Sequence, residues 1–485
     1  MKTRDLSRGS PLKLLIIFSL PMVLSVAFQQ LYNIADSVIA GRMLGRDALA
    51  AVSVSYPVTM IYMCVGTGMA VGCGILTSRA YGLKKTDALK TTVSTSFTVI
   101  LLIGTAMTVI GFFAAKPLLR LLSTPPEIFD DAAEYLQIYT LGMVFVYLYS
   151  ACNVVFQALG NSKIPLCFLI FSTLLNVVLD ICFLLIPGAG VASLSTATVI
   201  AQGTACTGSV LVLCSLLGSV GRGNDIKPGF VKKAAAVFMS LAAFAARKKS
   251  YKIFSKPVLF EMLSLGIPSV LSAASVSVGQ LFVQNLINGY GTTVVAGYGA
   301  GIKIFTFFVQ ITIAEADALG MFMSQNVGAG THSRLKKGMA AGLLIMAVTT
   351  AAAAGAGLSL APQIMSLFIS GENSAGVIAI GTRMLYIILP FQFIVINKFV
   401  CDALLKSAGF MIGFVTGTFI DLVTRVGFAY LLSWLLQSSS GIWWSWPIGW
   451  IIGTLIAVAF VLFAPWKKKI APYNGENAEQ AAAAL

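Results

Sequence analysis

The chain has 485 residues, 57% of them hydrophobic and only 11% charged, with a mean hydropathy of +0.88. Soluble domains carry roughly 25% charged residues, so a water-soluble fold is excluded and a polytopic membrane protein is indicated. The formal net charge of +15 would fit a nucleic-acid partner, but the cations fall in alternate loops and therefore mark topology.

Apolar stretches long enough to cross the hydrocarbon, about 20 residues at a rise of 1.5 Å each, run near 12–40, 48–77, 91–115, 133–159, 164–187 and 190–218. They recur near 257–289, 294–325, 338–360, 376–404, 408–433 and 441–464. Continuous rather than alternating apolar runs favour helices over a barrel, the two structures that satisfy every backbone polar group in lipid. The predicted fold is all-α: twelve transmembrane helices in two pseudo-symmetric lobes of six. Pro21, Pro57, Pro268, Pro390 and Pro447 fall inside or near the ends of these runs and are expected to mark bends.

One run of signals occurs twice. Ser19-Leu-Pro21 and Gly266-Ile-Pro268 each open an apolar helix, and Ser78-Arg79-Ala80-Tyr81-Gly82 is echoed by Ser324-Gln325-Asn326-Val327-Gly328, each followed by a basic turn. Asp180-Ile-Cys-Phe183 is answered by Arg425-Val-Gly-Phe428, and Gly190-Val-Ala-Ser193 by Gly441-Ile-Trp-Trp-Ser445. Two homologous membrane halves are the usual architecture of a transporter that handles substrate at their interface. The expected division is a first lobe at 1–218, a joining segment at 219–256, a second lobe at 257–466 and a polar tail at 467–485.

Basic residues cluster at Lys2 to Lys13, Arg79 to Lys90, Lys163, Arg222 to Lys256, Arg334 to Lys337 and Lys467 to Lys469. By the positive-inside rule both termini and the joining segment face the cytoplasm. The first apolar run is long and followed by further spans, so no cleavable signal peptide is expected. In the joining segment, the apolar stretch from Phe230 to Ala246 is too short to span and is bracketed by cations. It fits either an interfacial helix meeting anionic headgroups or a helical linker with solvated charges.

The eight cysteines sit mostly within spans and form no Cys-x-x-Cys, so they read as packing residues. The single histidine, His332, makes a histidine-based metal site improbable. Neither a Walker loop nor His-Glu-x-x-His is present, so neither ATP hydrolysis nor zinc chemistry has a visible basis, and no cofactor is expected.

Carboxylates at bilayer depth cost at least about 2.5 kcal/mol on insertion scales, so each needs a reason. Asp36 lies at the end of the first span, and Asp180 lies in the fifth, four residues after Asn176, which puts the amide on the same face. Neither acid has a basic residue at helical-neighbour spacing. Desolvation favours a protonated acid; alternatively, oxygens of Asp36, Asn176, Asp180 and Thr198 could surround a hard cation such as Na+. The plainer reading is that Asp36 caps a helix end and Asp180 bonds a neighbouring helix.

In the second half, Asp421 with Arg425, Lys398 with Asp402, and Asp402 with Lys406 have the i, i+4 spacing of internal ion pairs. Glu315 and Asp317 of the eighth span point to nearly opposite faces at 100° per residue. They are candidates either for binding a cationic substrate in a central cavity or for pairing with Arg425 or Lys398.

Taken in order, several passages resemble the multidrug and toxic compound extrusion (MATE) transporters, over nearly the whole chain apart from the joining segment and tail. They include Gln30-Leu-Tyr-Asn-Ile-Ala-Asp36-Ser-Val-Ile-Ala-Gly41, Gln157-Ala-Leu-Gly-Asn-Ser-Lys163, Leu175-Asn176-Val-Val-Leu-Asp180 and Ala197-Thr198-Val199. Gln325-Asn-Val-Gly-Ala-Gly330 and Gly441-Ile-Trp-Trp-Ser-Trp-Pro-Ile-Gly449 continue the match. The resemblance implies two lobes forming a V, alternating access, and export driven by H+ or Na+ moving inward. It implies the DinF-like branch, whose cation site corresponds here to Asp36, Asn176, Asp180 and Thr198, with Tyr135 as the positional match for a tyrosine of the fourth helix.

Gln30 and Asn33, in the matched first-helix passage, are placed with Glu315 and Asp317 in the substrate cavity. Glu315-Ala-Asp317 is not expected from the usual DinF-like pattern, and two cavity acids favour cationic cargo. The expected partners are small organic cations and the lipid bilayer, without nucleic acid, for a monomer in the bacterial cytoplasmic membrane. The rival readings are a flippase for lipid-linked oligosaccharide, which needs a cationic cavity, and a receptor or scaffold that does not transport. An enzyme is disfavoured for want of a nucleophile and base.

Overall fold

The computed structural model describes residues 3–39, 46–122, 124–186, 190–219, 251–366 and 374–473, without the side chains of residues 31, 33–39, 46, 47, 49, 219 and 374. Among them the first half forms α1 (Pro11–Ile39), α2 (Arg46–Gly82), α3 (Thr86–Leu121), α4 (Pro126–Leu141), α5 (Met143–Ala158), α6 (Lys163–Leu184) and α7 (Val191–Ser219). The second half forms α8 (Lys256–Asn288), α9 (Thr292–Gly328), α10 (Ser333–Ser359), α11 (Ala361–Ser366), α12 (Ser374–Ile388), α13 (Gln392–Ser407), α14 (Met411–Leu436), α15 (Ser440–Phe463) and α16 (Trp466–Ile470). Eleven described helices or helix runs are long and apolar enough to cross a membrane, and the bent pair α4–α5 makes twelve. Most of the joining segment, 220–250, and the tail beyond 473 lie outside the described residues.

Two spans differ from uninterrupted helices. The fourth breaks at Gly142, where α4 and α5 meet at 48°. The tenth passes through a 3-10 turn at Leu389–Phe391, because Pro390 withholds the N–H that would continue the helix. Pro21, Pro57, Pro268 and Pro447 are instead accommodated inside continuous helices. Large apolar side chains such as Phe113, Leu102, Trp434 and Phe463 are exposed on the outside of the bundle, which a lipid solvent makes favourable.

The repeated motif lies at the seam between the lobes. A Cβ on Gly82 would overlap the carbonyl oxygen of Gln325, and a Cβ on Gly328 would overlap that of Arg79. Arg79 and Gln325 occupy equivalent places in the two repeats, so the α2–α9 crossing is reciprocal about a pseudo-two-fold axis. Only glycine lets two helix backbones come this close.

Around the crossing the polar groups are satisfied. Arg79, 3% exposed, donates from Nη1 to Glu261 Oε1 at 2.8 Å and from Nε and Nη2 to the Ser407 carbonyl at 3.1 and 2.6 Å. Gln325 Nε2 donates to the Ala158 carbonyl at 2.7 Å while its Oε1 accepts from Leu6 N–H at 2.9 Å. The largest apolar cluster therefore crosses the seam, from Leu6 and Leu76 to Phe322 and Tyr473, whereas a second, around Trp443 and Ile388, stays within the second lobe. The seam lies beside the basic loops at Lys84, Lys85 and Arg334.

Candidate functional site

In the first lobe, Asn176 and Asp180 stand one turn apart on α6, 2% and 0% exposed. The Asn176 amide is best satisfied with its NH2 donating to Asp180 Oδ2 at 3.1 Å and its oxygen accepting from Thr198 Oγ1 at 3.3 Å and Thr198 N–H at 3.2 Å. The carboxylate of α6 is thus tied through one amide to α7. Beside it lies a cavity of about 10 Å³ whose lining includes Gln29 and Tyr32 of α1, Ser172, Thr173 and Asn176 of α6, and Thr198 and Gln202 of α7. That volume suits about one water or small cation.

Sequence reasoning selected Asn176, Asp180 and Thr198, and the fold brings them together. It passed over Gln29, Ser172 and Gln202, although Ser172 precedes Asn176 by four residues and Gln202 follows Thr198 by four. The side chains of Asp36 and Asn33 lie outside the described residues. Tyr135 belongs to α4, where its ring stacks on Tyr139 at 6.2 Å, whereas the cavity lining comes from α1, α6 and α7.

A cavity of about 500 Å³ lies mainly in the second lobe, lined from α8, α9, α13, α14 and α15, with Thr67, Gly68 and Val71 of α2 in the first lobe also in its lining. Asp317, Lys398, Asp402, Lys406, Asp421 and Arg425 are its charged lining residues, with Phe305, Phe399, Trp446 and Trp450 as aromatic walls. Glu315 does not share this cavity with Asp317. It is 4% exposed and accepts a hydrogen bond from Thr349 Oγ1 of α10 at 2.9 Å, because two residues of helix turn it to the far side of α9. Gln30 belongs to α1, outside this lining.

The expected ion pairs divide. Lys398 Nζ meets Asp402 Oδ2 at 2.6 Å and also donates to Thr418 Oγ1 at 3.2 Å, both ionic side chains being 5% exposed. Asp421 and Arg425, by contrast, do not approach within 4.0 Å. The Arg425 guanidinium lies 4.6 Å from the Trp446 ring centre, while Asp421 packs on α15 so closely that a Cβ on Gly449 would stand 2.7 Å from its Oδ1. Lys406 likewise leaves Asp402 to Lys398 and lies over Phe414 at 5.1 Å.

Breaking a buried pair by removing one partner costs about 3–5 kcal/mol, since the other charge is left in low dielectric. Asp402→Ala is therefore expected to lower the thermal unfolding midpoint in detergent, and adding Lys398→Met should recover most of the loss. If Asp402→Ala alone leaves the midpoint unmoved, the pair is not holding α13 in place.

A model of the MatE family matches residues 21–182 and again 268–431, so each match begins at a proline that opens one repeat. The chain is 27% identical over 475 residues to the "Probable multidrug resistance protein YoeA" of Bacillus subtilis (strain 168), with 96% of each covered. It is 23% identical over 456 residues to the "Multidrug export protein MepA" of Staphylococcus saprophyticus, with 94% of each covered. A solved MOP superfamily transporter from Pyrococcus furiosus, described as having a binding pocket of reverse polarity, superposes with a TM-score of 0.81 at 22% identity, covering 98% of this chain and 99% of that one. With one family model matching both repeats and together more than half of the sequence, the chain belongs to the MATE family of membrane transporters.

Proposed function

We propose that the protein exports small organic molecules, multidrug cargo with a cationic group among them, by alternating access coupled to inward movement of H+ or Na+. The observation that carries this reading is the buried Asn176–Asp180–Thr198 cluster beside a cavity sized for one ion. A carboxylate held there changes its interaction with α7 when a proton or cation neutralises it. A ligand drives a transition only through such differential affinity for two states. Asp36 is proposed to complete the site, as in the DinF-like branch, with no cofactor involved.

Read as cytoplasmic by the positive-inside rule, the basic loops support an inner-side position for the Gly82–Gly328 seam. The conformation is then closed toward the cytoplasm, in a bacterial inner membrane. Asp317 and the aromatic walls of the second-lobe cavity suit a cation and a planar ring. Its cationic lining residues Lys398, Lys406 and Arg425 are matched in number by Asp317, Asp402 and Asp421, so the cationic basin expected of a pyrophosphate flippase is not favoured.

The deciding experiment is efflux of a fluorescent organic cation from proteoliposomes under separately imposed Na+ and H+ gradients. Stimulation by one gradient names the coupling ion. A folded protein that responds to neither gradient overturns the coupled-export reading.

A further inference from the structure

Arg425 is 7% exposed and sits in the middle of α14, yet among the described residues its guanidinium has no carboxylate within 4.0 Å and no hydrogen-bond acceptor. It lies over the face of Trp446, 4.6 Å from the ring centre. A guanidinium is a rigid five-donor fork, and as a lining group of the cavity this one keeps its donors accessible to a ligand. The nearest acid in sequence, Asp421, is turned against α15 at Gly449. Of the other lining charges, Lys398 pairs with Asp402 at 2.6 Å, and Lys406 lies over the Phe414 ring at 5.1 Å.

The guanidinium lines the 500 Å³ cavity, a volume within the range that encloses small organic ligands. The adjoining wall is aromatic. Phe305 meets Trp446 edge-on at 5.3 Å and stacks on Trp450 at 5.8 Å, and the buried indole N–H of Trp446 is also without an acceptor. Arginine forks match carboxylate geometry with two parallel charge-assisted bonds.

We propose that this cavity is a receptor for planar aromatic molecules bearing a carboxylate, with Arg425 as the residue that binds the anionic group and Phe305, Trp446 and Trp450 as the surface that holds the ring. Asp317 can serve an ammonium in the same space, so the two recognition elements are compatible in one cargo. The assignment rests on reading this cavity as a ligand site, but it requires neither an ion gradient nor transport. Asp421, one turn from Arg425, weakens the attraction. The preference for the anion is therefore set at about tenfold, below the limit for an unopposed charge-assisted pair.

Isothermal titration of the full-length protein in neutral detergent, with empty micelles subtracted, tests this using 2-naphthoate and its uncharged analogue 2-naphthamide. Wild type should bind naphthoate about tenfold more tightly. Arg425→Gln should bring the two to parity while leaving naphthamide unchanged, and Arg425→Lys should fall between. Asp421→Asn should tighten naphthoate alone, a shift that a purely structural role for Arg425 would not produce. Equal affinities in wild type need no mutant and overturn the role of Arg425; failure of both probes to bind overturns the cavity as a site for planar aromatic ligands. Coupled export would be untouched by either result.

Discussion

Asp180→Asn is expected to reduce gradient-driven efflux to the level of empty liposomes while leaving the protein folded. The substitution is nearly isosteric, and an amide can still meet Asn176 across the 3.1 Å now spanned to Asp180 Oδ2. What it removes is the ability to exchange a negative for a neutral state, which the proposed coupling requires. Substrate binding measured without a gradient should persist, because the second-lobe cavity draws its lining from other helices. Asn176→Ala, which cuts the bridge to Thr198 but keeps the carboxylate, should lower efflux less. Full gradient-driven efflux by Asp180→Asn would remove Asp180 from the coupling mechanism.

The sign of the proposed coupling follows from this hydrogen-bond arrangement. With Asp180 charged, the Asn176 NH2 is drawn to it, and the amide oxygen is left to accept from Thr198, so α6 and α7 are joined. Neutralisation by a proton weakens that charge-assisted bond, and a cation such as Na+ competes for the same oxygens. In the proposed mechanism either event frees the Asn176 amide to turn away from Thr198, loosening α6 from α7 beside α1, whose Gln29 and Tyr32 line the adjoining cavity.

Much of this architecture is legible because lipid imposes a simple length rule, and the twelve expected spans correspond to helices or broken helices. The break at Pro390 follows from a missing N–H, whereas Gly142 is one of 45 glycines and nothing local distinguishes it. Asn176, Asp180 and Thr198 stand out because polar groups in apolar runs are costly and two of them share a helix face. The partners of Arg425 and Glu315 are not legible in the same way. Spacing within α14 offered Asp421 to Arg425, but Trp446 of α15 receives the guanidinium, and Thr349 of α10 holds Glu315. Those outcomes depend on which helix lies alongside, which one-dimensional periodicity does not encode. The repeated Ser-x-x-x-Gly motif was visible as a duplication, yet its meaning as a reciprocal crossing needed three dimensions.

That crossing supplies the second large expected effect. Gly328→Val introduces a side chain where a Cβ alone overlaps the backbone carbonyl of Arg79, and Gly82→Val does the same against Gln325. A flexible side chain could swing away from such a clash, but a helix backbone cannot, so the seam must open. Overpacking typically costs about 1–3 kcal/mol, which corresponds to roughly a 5- to 150-fold shift between two states. The readout is a cysteine placed at Ser78, which is fully buried beside Met321, in a background whose eight native cysteines are replaced. Its modification by a maleimide should accelerate at least about fivefold in either valine variant. Because the crossing is reciprocal, the two variants should behave alike. Gly320→Val is the control: it lies on the same helix, and a Cβ there meets nothing within 4 Å, so it should leave the rate unchanged. Equal rates for Gly328→Val and Gly320→Val would mean that the close approach of α2 and α9 does not set the closed state. A selective acceleration would locate the barrier to opening in two glycines that the duplication placed at equivalent positions.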